Sequence, residues 1–396
     1  MQTKRAPSPR ALIAALVTCA TFIDVVAYSI AVPVLPDLGR RIGASPTLIG
    51  VLFASFGASL LVVSVPAGRW SDRVGRGGPM LGGLAALAAA SVLFAFADTL
   101  PWLFAARLTQ GAADAVTWIV GFALIADLYE PEERGRVMGL VMAGSGFGFM
   151  IGPSIGGWLY EWGGMRVPFL AVAVASVAVL GAFLLVGIPD RRAARDEGSL
   201  AALVRVPAVA ACGAAVVTIA ATLAMLEPIV SLHLQTRLAV NPARVGLLFG
   251  IAAFATMILH PIYGRMVDRF GGRRLTLLGL MAAAVVLPAT GRMSSFESAV
   301  VLFVVQASAG ALAITPSLAY MADVVSASGI GSFGVAYGLY NFAWGVGIMA
   351  GPAAGGYLFE RLGFAALTLA WALAVFAIAV LLAGVQSPRT LGAPAP

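Results

Sequence analysis

The stretch Gly-Arg-Trp-Ser-Asp-Arg-Val-Gly-Arg at residues 68–76 decides the fold, because a close copy of it recurs later in the chain. The copy reads Gly-Arg-Met-Val-Asp-Arg-Phe-Gly-Gly-Arg-Arg and occupies residues 264–274. Each copy lies in a short basic loop between two long apolar runs. A polar loop that recurs once in each half of a hydrophobic chain indicates two similar helical bundles joined in tandem.

The composition indicates that most of the surface faces lipid. Of the 396 residues, 60% are hydrophobic and 11% are charged, whereas a soluble globular protein carries about 25% charged residues. A run of about 20 apolar residues spans a bilayer, and a span must satisfy its own backbone polar groups, which favours helices. The predicted helices cover residues 11–35, 47–69, 78–97, 100–127, 136–160, 166–188, 208–235, 244–265, 274–292, 297–325, 330–358 and 364–385.

The basic residues predict the orientation of the chain in the membrane. The net charge is +7, and Lys4 is the only lysine. With the N-terminus inside, seventeen of the 25 Lys and Arg residues lie on the cytoplasmic side and seven lie outside, while Arg107 falls within predicted helix 4. Positive charge collects on the cytoplasmic side, so both termini are predicted to be cytoplasmic. The arginines form no continuous patch, so nucleic-acid binding is not expected.

A polar segment at 189–206 joins the two halves of the chain. We therefore predict a six-helix bundle over residues 1–188, a cytoplasmic linker over 189–206 and a second six-helix bundle over 207–396. Tandem repeats of this kind are typical of secondary transporters, whose binding site lies near the bilayer midplane between the repeats. The first apolar segment lacks a small-residue cleavage site, so it is expected to be a retained helix.

Other chemistry finds no support in the sequence. Gly75–Gly78 lacks the Walker spacing and its lysine, which argues against ATP as the driving force. No nucleophile and base can be placed together, so the chain is not expected to be an enzyme. His233 and His260 are isolated and suggest no metal site, and no cofactor is predicted.

These motifs resemble those of the major facilitator superfamily. The loops at 68–76 and 264–274 look like its signature between helices 2 and 3 and the repeat between helices 8 and 9. Arg107-x-x-Gln-Gly is similar to its helix 4 motif, and the glycine run at 144–157, echoed at 345–356, resembles the helix 5 motif of antiporters. The resemblance covers the whole chain and implies twelve transmembrane helices in two pseudo-symmetric bundles.

A closer resemblance is to the vesicular monoamine transporters and their bacterial drug:proton antiporter relatives. It rests on Asp24 with the Val-Pro-Val-Leu-Pro run at 32–36, on Leu-Glu-Pro at 226–228, and on the segment 132–139. In that family the helix 1 aspartate and the helix 7 glutamate serve amine recognition and proton coupling, which implies the same roles for Asp24 and Glu227. Three further charges of the family network are replaced here by Phe56, Ala311 and Asn341.

Asp24 lies in the middle of predicted helix 1 with apolar residues on both sides. A charge at the centre of a span costs about 2.5–3.5 kcal/mol, so Asp24 is expected to face the bundle interior. Burial disfavours the ionised form of a carboxyl group, and a group that holds either a proton or an amine couples the two fluxes. The alternative is a structural aspartate satisfied by the hydroxyls of Thr21 or Tyr28, and Tyr28 is also a predicted substrate contact.

Glu227 directly precedes Pro228 on predicted helix 7. A proline removes a backbone hydrogen bond and kinks the helix, which opens carbonyl groups beside the carboxylate. Proton coupling and substrate binding are the functional interpretation. The alternative is a glutamate near the outer end of the helix that reaches water.

Arg107 and Asp114 lie seven residues apart on predicted helix 4 and therefore share a face. They form either a charge pair that steadies the bundle or a proton relay in which Arg107 tunes the carboxylate. The resemblance implies a coupling role for this arginine.

Tyr337, Asn341 and Trp344 follow a spacing of four and three residues on predicted helix 11, which places them in one stripe. Aromatic faces attract organic cations by about 0.5–2 kcal/mol, and an asparagine can hydrogen-bond a substrate without charge. Packing alone is the alternative. Trp118 is a further aromatic candidate for substrate binding.

The repeated loops and two Gly-Pro pairs are the predicted gates. Asp72 and Asp268 each lie at a helix end among arginines, where a carboxylate can pair with a guanidinium and favour a neighbouring helix N-terminus. Small residues let helices approach closely, so plain tight packing is the alternative for the glycines. The predicted gating residues are Gly68, Asp72, Arg73, Arg76, Gly264, Asp268, Arg269, Arg273, Gly152, Pro153, Gly351 and Pro352.

The sequence thus predicts an all-α membrane protein of the cell (inner) membrane that exports organic cations, amines or lipophilic drugs in exchange for protons. Its partners are expected to be a cationic small molecule, protons and the lipid bilayer, and it is expected to be a monomer. The alternative is an uncoupled or symporting facilitator of a neutral or zwitterionic metabolite. That facilitator would use Arg107 and Asn341 as ligands, and the buried acids would be structural.

Overall fold

The computed structural model describes residues 9–188, 205–328 and 333–385, which form twelve α-helices and no strands. Within these ranges, eleven helices are long and apolar enough to cross a bilayer, and the glycine-rich α11 is the exception. The prediction of an all-α membrane protein with twelve helices is confirmed. The helices are α1 (Pro9–Arg41), α2 (Pro46–Val74), α3 (Gly77–Ala95), α4 (Leu100–Leu128), α5 (Pro131–Gly163), α6 (Arg166–Val186), α7 (Pro207–Arg237), α8 (Pro242–Phe270), α9 (Gly272–Thr290), α10 (Phe296–Ser328), α11 (Phe333–Leu362) and α12 (Phe364–Gly384).

The chain divides into two compact units. The first comprises the described parts of 1–44, 58–194 and 241–250, and the second comprises those of 45–57, 195–240 and 251–396. The predicted linker lies outside the described residues except for Arg205 and Val206. The predicted bundle boundaries stay predictions.

Helix packing inside one unit repeats inside the other. In the first unit α1 packs on α5, and α3 packs on both α4 and α6. In the second unit α7 packs on α11, and α9 packs on both α10 and α12. Each pair of the first unit therefore recurs six helices later, as the repeated loop indicates.

Glycines allow the closest of these approaches. Gly152 of α5 faces Ser29 of α1 so closely that an added Cβ would overlap the serine hydroxyl. Gly351 of α11 faces Ala221 of α7, where an added Cβ would lie 2.7 Å from the alanine Cα. Small residues at these crossings let the backbones touch, which is how membrane helices gain packing energy without a hydrophobic driving force.

A glycine ends the helix at each copy of the repeated loop. Gly75 follows α2 with a φ of 90°, and Gly271 follows α8 with a φ of 81°. Residues with a side chain rarely adopt this left-handed conformation. The glycine shared by the two copies of the loop therefore turns the chain sharply from one helix into the next.

Candidate functional site

Asp24 lies in the interior of the first unit. Its side chain is 1% exposed, and within the described part of the chain neither carboxyl oxygen has a hydrogen-bond partner. The hydroxyl of Thr21 donates instead to the backbone carbonyls of Val17 and Thr18, at 3.1 and 3.2 Å. The carboxyl group therefore is not satisfied by the threonine one turn away.

A second buried carboxyl group faces Asp24 from α4. Asp114 is 9% exposed, and its carboxyl group together with the Trp118 indole forms the polar surroundings of Asp24. The cluster also includes Arg107, which is fully buried and acts electrostatically on Asp114. The Arg107 guanidinium lies over the ring of Tyr28, 5.0 Å from the ring centre.

The spacing of the polar and aromatic residues along α4 explains how the sequence forms this cluster. Arg107 donates through Nη1 to the Oε1 atom of Gln110 over 2.7 Å. Asp114 and Trp118 follow at further steps of four residues, so all four side chains lie on one face of α4. The structure thus brings together five predicted residues: Asp24, Tyr28, Arg107, Asp114 and Trp118. Gln110, which the sequence marked only as part of a motif, joins them.

The cluster contains more acidic groups than basic groups. Two carboxyl groups share one guanidinium in an interior where an unpaired charge is costly. If both carboxyl groups were ionised, the cluster would carry a net negative charge. A proton or a cationic ligand would restore neutrality.

The second unit holds the other predicted ligands. Glu227 is half-buried on α7, directly before Pro228 inside that helix. Asn341 is exposed and Trp344 is half-buried, both on α11. Tyr337 belongs to the first turns of α11, but its side chain lies outside the described part of the structure.

The aromatic partner of Trp344 is a residue that the sequence analysis missed. Tyr340 stacks on Trp344 with ring centres 6.4 Å apart, and its hydroxyl lies 3.2 Å from the Ser317 hydroxyl of α10. The spacing of four residues between Tyr340 and Trp344 was the available signal, because such residues are neighbours on a helix.

The first repeated loop forms a buried ionic network around Arg76. This side chain is 4% exposed and donates to Asp127 at the end of α4 over 2.8 Å. It also donates to Ser71 over 2.7 Å and to Asp72 over 2.6 Å. Burial alone would lower the pKa of Arg76, but the hydrogen bonds to Asp127 and Asp72 outweigh burial and raise it above its ordinary value. The predicted gate residues Asp72 and Arg76 thus fasten α2 to α4, while Arg73 is exposed.

The second repeated loop makes different contacts. Asp268 is exposed and has no ion pair within the described chain, and the Arg269 guanidinium lies 5.4 Å from the centre of the Phe270 ring. Arg273 donates to the carbonyl groups of Ala383 and Val385, at 2.9 and 2.6 Å, and so caps the end of α12. The two copies of one motif therefore hold different helix ends.

A further ionic cluster lies near the other end of α1. Asp37 is 3% exposed and pairs with Arg40 at 3.0 Å and with Arg41 at 2.8 Å. The Tyr160 hydroxyl of α5 donates to the same carboxylate over 2.9 Å. The helical spacing of Asp37 and the two arginines could have indicated the ion pairs, but the tyrosine on α5 could not be predicted from it.

Comparisons with known proteins agree with this architecture. The profile of the Major Facilitator Superfamily matches residues 17–212 and 210–396. The vesicular acetylcholine transporter of Homo sapiens is 33% identical over 343 residues, which are 82% of this chain and 63% of that protein. The MFS-type transporter SLC18B1 of Rattus norvegicus is 25% identical over 377 residues, covering 90% of this chain and 81% of that protein.

A solved structure shows the same fold. The crystal structure of a bacterial homologue of the human lysosomal transporter Spinster, in an inward-facing and occupied conformation, matches with a TM-score of 0.79. The match has 16% sequence identity and covers 96% of each chain. The chain spans less than two thirds of the length of the human vesicular acetylcholine transporter. With a family profile that matches both halves of an integral membrane protein, the chain belongs to the Major Facilitator Superfamily.

Proposed function

We propose that this transporter is an antiporter that exports organic cations, amines or lipophilic drugs from the cell in exchange for protons. The observation that carries the proposal is the buried acid pair, in which the Asp24 carboxyl group has the Asp114 carboxyl group and the Trp118 indole as its polar neighbours. Two ionised carboxyl groups side by side in a buried interior are costly, because each is desolvated and each repels the other. A membrane-embedded carboxyl group in that situation is expected to serve transport rather than packing.

The charge balance supports exchange in particular. Arg107 supplies one positive charge against two carboxyl groups, so neutrality calls for one more. A proton and an organic cation each supply that charge, and they exclude one another from the same carboxyl group. Competition of this kind couples the two fluxes, because the site releases one cation when it takes up the other.

Aromatic side chains around the acid pair favour an organic cation over a metal ion. The Tyr28 and Trp118 rings lie within the cluster, and such rings attract ammonium groups. Several relatives are named vesicular acetylcholine transporters, and acetylcholine carries a quaternary ammonium group. We assign Glu227, Tyr337, Asn341 and Trp344 of the second unit as further substrate contacts, with Glu227 as a second proton carrier.

The remaining assignments concern placement and gating. We propose that the chain lies in the cell (inner) membrane as a monomer with both termini cytoplasmic, and that the repeated loops gate access. The buried network of Arg76 supports a latch at the first loop. The close contacts at Gly152 and Gly351, each directly before a proline inside its helix, support the assignment of these Gly-Pro pairs to tight helix crossings.

The proposal is tested by replacing Asp24 with Asn in proteoliposomes. Proton movement is followed with a pH-sensitive dye while labelled acetylcholine or another organic cation is added under an imposed pH gradient. The wild type is expected to move protons on addition of substrate, and Asp24→Asn is expected to move none. Asp98→Asn is the matched control, because it makes the same chemical change at an exposed loop position.

Two results would contradict the proposal. Substrate-dependent proton movement that survives in Asp24→Asn would show that this carboxyl group does not couple the fluxes. Uptake by the wild type that is the same with and without the pH gradient would instead identify an uncoupled facilitator. Size-exclusion profiles of the variants exclude a failure to fold as the cause of lost transport.

A further inference from the structure

The second unit has a small, partly open cavity among α7, α9, α10 and α12. The residues around it include Thr222, Leu280, Gln306 and Gly310, all buried. The space open to the centre of a water molecule is about 10 Å³, which is close to what one water requires.

Two polar groups meet this cavity. Gln306 is 1% exposed, and its Oε1 atom has no hydrogen-bond partner among the described residues. The Thr222 hydroxyl donates to the Thr218 carbonyl over 2.8 Å and accepts from the Trp371 indole over 3.0 Å. A hydroxyl oxygen has two lone pairs, so Thr222 can accept one more hydrogen bond.

The internal repeat explains why a cavity lies here. The repeated loops begin at residues 68 and 264, and the same shift carries Gln110 onto Gln306 and Asp114 onto Gly310. Where the first unit has a carboxyl group, the second unit has no side chain at all.

Packing of the neighbouring helices confirms this alignment. An added Cβ at Gly83 of α3 would lie 3.0 Å from the Thr117 hydroxyl of α4. An added Cβ at Gly279 of α9 would lie 2.3 Å or more from atoms of Ala313 of α10, the residue that the same shift makes equivalent to Thr117. The helix pairs therefore cross at equivalent residues in both units.

We infer that this cavity binds one water molecule, which donates hydrogen bonds to Gln306 Oε1 and Thr222 Oγ1. Cavities lined only by apolar groups stay dry, whereas a mainly apolar cavity large enough for one water can hold it when two polar groups are available to bind that water. A metal ion does not fit, because an amide oxygen and a hydroxyl are far fewer oxygen ligands than a hard cation requires. The water occupies the place that a carboxyl group fills in the first unit.

Radiolytic hydroxyl-radical footprinting of the full-length protein in nanodiscs tests this site. Bound water generates radicals in place, so a buried side chain beside it is oxidised although bulk solvent cannot reach it. We expect Leu280 to be oxidised faster than Leu287, which lies on the same helix, is fully buried and does not line the cavity. Equal and negligible oxidation of the two leucines would overturn the inference, because it would show a dry cavity.

A variant that fills the cavity provides a second test in the same footprinting experiment. In Gly310→Ser the new Cβ would lie 3.2 Å from the flexible end of Leu223, and its hydroxyl would take the place of the water. We expect oxidation of Leu280 in this variant to fall to the rate of Leu287, since the single water that fits is displaced. Gly213→Ser is the control, because nothing lies within 4 Å of its added Cβ.

An unchanged rate at Leu280 in Gly310→Ser, or an equal fall in Gly213→Ser, would overturn the inference. If Gly310→Ser fails to fold, the oxidation rate of Leu280 is measured in Gly310→Ala, whose smaller side chain also occupies part of the cavity. Neither glycine belongs to the residues proposed for transport, so the outcome is independent of the proton-coupling experiment on Asp24.

Discussion

Replacing Arg76 with Ala tests whether the buried ion pairs of this side chain stabilise the folded protein. The Arg76 side chain is 4% exposed and bonds Asp127, which is 18% exposed, and Asp72, which is 49% exposed. The half-exposed pair with Asp72 contributes about 0–1 kcal/mol. Removing one partner of a buried pair costs about 3–5 kcal/mol, and the partial exposure of Asp127 places this pair near the lower end of that range.

We therefore expect Arg76→Ala to lower the free energy of unfolding by about 3 kcal/mol. Arg73→Ala, at an exposed position in the same loop, should change it by less than about 0.5 kcal/mol. Arg76→Lys should recover only part of the loss, because an ammonium group cannot match the planar fork that reaches Asp127 and Asp72 together. Steric trapping in bicelles measures these free energies without detergent denaturation.

A more specific test compares the losses of unfolding free energy caused by replacing each of the two acidic partners of Arg76. Asp127→Asn should cost more than Asp72→Asn, since Asp127 is the more buried of the two. An Arg76→Ala variant as stable as Arg73→Ala, or a larger loss in Asp72→Asn than in Asp127→Asn, would refute the assignment of the latch to the α2–α4 contact.

Three further predictions concern packing, a hydrogen bond and the ligand. Gly351→Ala should destabilise the protein by about 1–3 kcal/mol through overpacking, whereas Gly338→Ala, which meets open space on the same helix, should not; equal thermal shifts would contradict this. Tyr160→Phe should lose about 1.5–3 kcal/mol of unfolding free energy, because its hydroxyl bonds the buried Asp37 carboxylate, and an unchanged value would refute that role. Trp118→Leu should weaken binding of a quaternary ammonium ligand by about 2- to 30-fold, with Trp118→Phe between it and the wild type, as measured by isothermal calorimetry.

The helices could be predicted from the sequence because an apolar segment long enough to span a membrane must form a helix there. Their ends were less predictable. The apolar run of the first helix predicts an end near residue 35, but α1 continues to Arg41. Asp37 forms ion pairs with both Arg40 and Arg41, and these pairs let the helix continue past its apolar part.

The candidate site was predictable one helix at a time. Helical spacing places Arg107 and Asp114 on one face of α4, and burial of a charge predicts that Asp24 faces inward. The meeting of Asp24 with Asp114 depends on how α1 packs on α4, which no pattern within either helix encodes. The sequence therefore indicates which side chains are functional candidates but not which of them touch.

The repeated loops show where reasoning from repeats fails. Equal motifs predict equal roles, yet the residue equivalent to Arg76 is Gly272. An added Cβ at Gly272 would lie 2.9 Å from the Tyr320 backbone nitrogen, so no side chain fits there. The arginine of the second copy stands one residue later and reaches α12 instead.

That arginine also constrains how the protein can be enlarged for imaging. Small membrane transporters are often joined through a continuous helix to a rigid partner so that particles can be aligned. Such a fusion after Gly384 would supply new backbone N–H groups to the last carbonyl groups of α12, which Arg273 already holds. The guanidinium would lose these acceptors, so a helical graft belongs at another terminus or loop, and a partner attached here should follow a short flexible spacer.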